Sequence, residues 1–174
     1  MDGDDWPLDD PGQGNGLVHP CGHGASVYTG IHTGPVDVRA VSREQAPDRI
    51  DDSRPWQEIA EVSFTAPTGH LRIRSFEDVV PLPALGAAGP GTYRVRVYAE
   101  GRDTDIDGTV RTPVEHYRIE VWPAPPADEV IHRRTDRYGE SVRSIATPAT
   151  DVRRGGTQRE PDGETFEEWV ELDD

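Results

Sequence analysis

Lysine is missing from this chain: all 18 basic residues are arginine, set against 33 acidic ones, for a net charge of −15 over 174 residues. A GC-rich coding bias produces that exchange. Selection for the forked guanidinium contacts that an ammonium group cannot make is the sharper alternative. Cysteine is nearly missing as well. Cys21 stands alone and cannot close an internal disulfide, which suits a reducing compartment. No run approaches the ~20 apolar residues of a membrane helix. The opening Met1-Asp2-Gly3-Asp4-Asp5-Trp6 has neither the basic region nor the apolar stretch of a secretory signal. The expected location is therefore cytoplasmic, without membrane attachment. Apolar residues are scarce too, at 33% of the chain. That is too few for the whole length to pack into one core, although 174 residues suit one ordinary domain.

What is present in excess is negative charge, and it is unevenly placed. Residues 1–16 hold Asp2, Asp4, Asp5, Asp9 and Asp10 with no base, and residues 155–174 carry a net −7, which leaves only −3 for 17–154. The expected layout is a disordered acidic N-terminal tail (1–16), a β-sandwich domain with a less regular end (17–154) and an acidic C-terminal tail (155–174). A near-neutral body with acidic ends has no basic stripe for nucleic acid and no attraction for anionic lipid. It suits a basic protein partner.

Within the middle segment the apolar period is two. Ser26–His32, Pro35–Val41, Trp56–Thr65 and His70–Phe76 alternate in part, with Pro67-Thr68-Gly69 as a turn between the last two. Gly91–Tyr98 and His116–Trp122 alternate throughout and are rich in β-branched and aromatic residues. Ser42–Pro55 reads as a long polar loop. Asp128–Arg134 and Phe166–Leu172 read as short helices. Six or more short strands predict an all-β fold, an antiparallel β-sandwich or jelly-roll-like single domain.

The two regular strands also predict a register. With Val95 opposite Val121, Val97 meets Ile119 on a buried face. The other face then pairs Arg96 with Glu120, Arg94 with Trp122 and Tyr98 with Arg118. The alternative in-phase register would set Arg96 against Arg118, which is worse. This second face has two readings: a solvated sheet surface, or a partner-binding patch of Arg94, Arg96, Tyr98, Arg118 and Trp122, residue types that dominate protein interfaces. Phe166 and Trp169, interleaved with carboxylates in the C-terminal tail, are the other candidate partner-binding residues.

Two clusters raise the question of metal. Asp103-Thr104-Asp105-Ile106-Asp107-Gly108 opens like a calcium loop, with Asp103, Asp105 and Asp107 as alternate carboxylate ligands. An EF-hand would place a bidentate Glu at its twelfth position, but Val114 stands there and Glu115 follows one residue late. A solvated turn uses the same residues. The expectation is thus no cofactor, with calcium as the alternative. His19, Cys21 and His23 are soft ligands at alternate positions, but their spacing matches no standard zinc site. No nucleophile elbow, phosphate loop, dinucleotide fingerprint or His-Glu-x-x-His is present. The protein is not expected to be an enzyme.

Trp56-Gln57-Glu58-Ile59-Ala60-Glu61-Val62-Ser63-Phe64, the Gly-x-Tyr start of Gly91-Thr92-Tyr93-Arg94-Val95 and the ending Glu120-Val121-Trp122-Pro123 together span much of 26–122. This stretch resembles the competence protein J family of DNA-entry nuclease inhibitors and similar uncharacterised actinobacterial proteins. The resemblance implies stoichiometric inhibition of a nuclease by an acidic β protein. It carries no site residue across.

Overall fold

The computed structural model describes residues 14–75, 84–86 and 88–145. Seven strands and one helix are found there: β1 (Val18–Cys21), β2 (Gly24–Val27), β3 (Asp37–Ser42), β4 (Glu58–Ala66), β5 (Gly91–Glu100), β6 (His116–Pro123), β7 (Val130–Arg134) and α1 (Arg137–Ile145). The fold is mainly β. β1 and β2 form a small antiparallel hairpin, and the other five strands make one sheet in the order β3-β6-β5-β4-β7.

β5 and β6 pair in the expected register, with Val95 opposite Val121, Val97 opposite Ile119 and Arg96 opposite Glu120. Alternation then sends Tyr93, Val95, Val97 and Ala99 to the core face, where Val62, Phe64, Tyr117 and Val121 join them. Leu17 and Val18, at the base of the β1–β2 hairpin, cap this face and are almost fully buried. Burying a Val or Leu side chain contributes roughly 1.5–3 kcal/mol, so this layer supplies the main apolar stabilisation.

Three expectations need correction. The sheet is mixed rather than wholly antiparallel, because β3 runs parallel to β6, from Asp37 beside His116 to Ser42 beside Val121. The His70–Phe76 alternation does not yield a strand over 70–75; Leu71 and Ile73 instead pack against the core from a loop, and the Leu71 carbonyl accepts the Leu85 N–H at 3.0 Å. Residues 128–134 form no helix, since Val130–Arg134 pairs with β4 as an edge strand. The helix lies just beyond it. Asp136 caps that helix, its Oδ1 accepting the Gly139 N–H at 2.8 Å, and the Asp103 carboxylate takes the N–H groups of Arg137 and Tyr138 at 3.0 and 2.9 Å. The reading of Phe166–Leu172 as a short helix lies outside the described residues.

The chain ends of the described body meet. Gly16, at φ 78°, lies so close to α1 that a Cβ there would sit 2.5 Å from the Gly139 carbonyl oxygen. Gly16→Ala is therefore expected to destabilise by about 1–3 kcal/mol, from both the left-handed backbone and the overlap. A thermal unfolding midpoint that does not fall would contradict this close approach.

Candidate functional site

The face of Arg94, Arg96, Tyr98, Arg118 and Trp122 is present as an arrangement but not as a surface. Tyr98 is 0% exposed, Trp122 3%, Arg94 6% and Arg96 7%, and the Arg118 side chain is 12% exposed. The polar loop after β3 and the segment after β6 fold over it. The Arg96 guanidinium donates to the Arg49 carbonyl at 3.2 Å, and that of Arg94 donates to the carbonyls of Ala127 and Asp128 at 2.9 and 2.7 Å. The expectation of an open patch, whether solvated or ready for a partner, is corrected by this cover.

Two carboxylates hold the layer together. Glu61 on β4 accepts from Arg94 at 3.1 Å, from Arg96 and from His132 at 2.7 Å. Burial alone would raise its carboxyl, but hydrogen bonds from His132 and Arg96, the Arg96 charge and the Arg94 bond outweigh it and hold the group below the usual glutamate range. Glu120 on β6 is 1% exposed and accepts from Arg43, from Arg118 at 2.9 Å and from the Tyr98 hydroxyl at 3.0 Å. Burial is again outweighed, here by those three donors, and the Glu120 carboxyl is also held low. Arg94 stands opposite Trp122 and Tyr98 opposite Arg118, as the register requires, while the Arg96 guanidinium lies over the Trp122 ring at 5.6 Å. The Tyr98 ring lies tilted against Trp56 at 5.5 Å, and its hydroxyl accepts the Asp51 N–H. Beside this layer lies an open groove of about 510 Å³ lined by Arg43, Asp48, Arg49, Asp51, Arg118 and Glu120.

The calcium reading fares differently at each carboxylate. Asp103 is committed to the start of α1, and the Asp105 carboxylate folds against Gly108 within its own turn. Asp107 takes a φ of 57°, the left-handed geometry of a turn. No group of three or more His, Cys, Asp or Glu that could hold a metal ion is found among the described residues. His19 and Cys21 lie on the β1–β2 hairpin. His19 stacks on Tyr28 at 5.0 Å, with burial lowering its imidazole, and the Cys21 thiol lies 3.0 Å from the Ser26 hydroxyl. His23 is at the hairpin turn. Phe166 and Trp169 lie outside the described residues.

A second buried cluster was not anticipated. Arg102 and Asp136, both with 0% side-chain exposure, pair through two bonds of 2.7 and 2.9 Å. The same guanidinium donates to the carbonyls of Gly16 and Tyr28 and lies over the Tyr138 ring at 5.2 Å. Glu58, 1% exposed, accepts from Arg143 at 2.9 Å and from the Asp136 N–H. Its carboxyl is raised by burial and by the charge of Asp136, which Arg143 does not fully offset. Glu115 takes the N–H groups of Gly30 and Ile31 and the Tyr117 hydroxyl, which burial and the Glu115 charge push far above the usual tyrosine range. Arg143 also donates to the Asn15 carbonyl at 2.8 Å, so Asn15 and Gly16, assigned from sequence to the tail, belong to the body. The only sequence signal for this cluster is the helix cap Asp136.

Together these features define a mainly β protein with a mixed five-stranded sheet, an ionic layer buried on one face and an ionic clamp that joins Asn15 and Gly16 to the start and body of α1. Compared with known proteins, the chain matches no family model, no curated protein and no solved structure. No helix among the described residues is long and apolar enough to cross a membrane.

Proposed function

We propose that this protein is a stoichiometric binder of a basic protein, of nuclease-inhibitor or toxin-immunity type, which engages its partner through acidic ends rather than through the sheet face. One observation supports this reading above the others. The clamp of Arg143 on Asn15 brings residues 14–16 and α1 together. The five acids before Gly14 and the net −7 of residues 155–174 are thus tethered at one locus of a body whose middle is close to neutral. Two tethered acidic segments act as a bivalent ligand, whose second contact forms at the effective concentration set by the first. They also steer a basic partner toward that locus. The β1–β2 hairpin across the core face is read as the short second layer of a sandwich.

The test uses the full chain and the basic partner it captures from host extract. The purified pair is expected to bind one to one. Its association rate is expected to fall at least about ten-fold between low and high salt, as electrostatic steering predicts. A captured nuclease is expected to lose activity at an equimolar ratio. An acidic partner, or binding indifferent to salt, would overturn the proposal.

A further inference from the structure

β7 ends the sheet: it pairs with β4 on one side, and no described strand lies on the other. Three large hydrophobic residues stand out as exposed among the described residues, and two of them, Val130 and Ile131 at 39% each, are on this strand. The far half of the strand is basic, with His132, Arg133 and Arg134, and Arg137 follows. Arg133 reaches Asp52 at 3.5 Å, whereas the exposed Arg134 has no acidic partner among the described residues. An open edge with exposed apolar side chains invites a further strand. Arginines on it repel a second copy of the same edge and favour an acidic one.

We infer that this edge receives the chain's own acidic segment 164–172, added antiparallel to β7. One register matches chemistry at four successive pairs: Glu167 opposite Arg134, Glu168 opposite Arg133, Trp169 opposite His132 and Val170 opposite Ile131. A parallel register would instead set Trp169 and Val170 against the arginines. Reach is ample. α1 begins three residues after β7 and runs nine residues, about 13 Å. The 20 residues from 146 to 165 allow a reach of up to ~65 Å. A tether of that length holds the segment near the edge at about millimolar effective concentration, enough to fill a weak site. Docking shields part of the tail's charge until a basic partner displaces it.

Hydrogen exchange of the full chain, alone in solution, tests this. Glu167→Arg is expected to speed exchange of the outward-facing amides of residues 130–134 at least about ten-fold. Arg134→Glu, an exposed change, is expected to do the same. The double variant, with the charges swapped, is expected to restore protection. Equal exchange in all four forms overturns the proposal. Protection that rises with protein concentration also overturns it, since the occupant is then a second copy. No partner is present, so this result is independent of whether the acidic ends bind a basic protein.

Discussion

Replacing Arg102 with leucine is expected to cost about 3–5 kcal/mol of folding stability, the penalty for removing one member of a fully buried ion pair. The reason lies in what stays behind. Asp136 loses both charge-assisted bonds, and the carbonyls of Gly16 and Tyr28 lose their donor. Three buried carboxylates (Glu58, Glu115 and Asp136) are left with Arg143 as the one remaining arginine of the cluster. Leucine fills much of the volume, so a cavity is not the main cost; uncompensated charge is. Arg102→Lys is expected to recover little, because an ammonium group cannot reproduce the two-pronged contact with Asp136 or the stack on Tyr138. Urea denaturation checks both. With a slope of about 1–3 kcal/mol/M, the Arg102→Leu midpoint moves down by roughly 2 M. A midpoint within a few tenths of a molar of the native protein would show that the clamp is dispensable. Since natural domains are stable by only about 5–15 kcal/mol, the variant sits near the limit of folding.

The strand pairing at the centre of this fold was legible because it is written locally. In 91–98 and 116–122 every second residue is apolar, and the intervening charges disfavour the competing register, so both the strands and their preferred alignment followed from the residues alone. The exposure of the far face did not follow. Period two separates two faces but carries no information about what covers either, and here a polar loop after β3 closes over Arg96 and Tyr98 using main-chain groups of Arg49 and Asp51. The parallel pairing of β3 was hidden for a related reason, since pairing direction depends on the path of the chain between distant segments. α1 was missed because Gly139 dilutes its pattern and because part of its cap, Asp103, comes from a loop 34 residues earlier. That remote use gives Asp103, the first carboxylate of the acidic alternation, a place at a helix N-terminus. The open edge at β7 was misread as a helix, since a seven-residue stretch with two adjacent β-branched residues fits either period.

Glu61→Gln is expected to destabilise by about 3–5 kcal/mol for the same class of reason, with the sign of the stranded charge reversed. Glu61 is the acceptor shared by Arg94, Arg96 and His132, and the arginine side chains are only 7% and 8% exposed. A neutral amide keeps the shape yet leaves two desolvated guanidinium groups without a countercharge, since Glu120 is already occupied by Arg43 and Arg118. Changing Arg94, Arg96 and Glu61 together to apolar residues of similar size is expected to cost much less than Glu61→Gln alone, because it removes the charges that create the penalty. Acid titration gives an independent reading. The Glu61 and Glu120 carboxyls are held below the ordinary glutamate value, so their contribution is complete above about pH 4.5 and is lost as pH falls through their lowered values. Glu58 has the opposite sign: its carboxyl is raised, so its contribution is greatest in acid and declines as pH rises through that raised value. Native protein is therefore expected to weaken steeply below about pH 4.5, and Glu61→Gln to show a shallower acid limb from a lower plateau. If the variant matches the native plateau and slope, the ionic layer under the loop does not hold the sheet face closed.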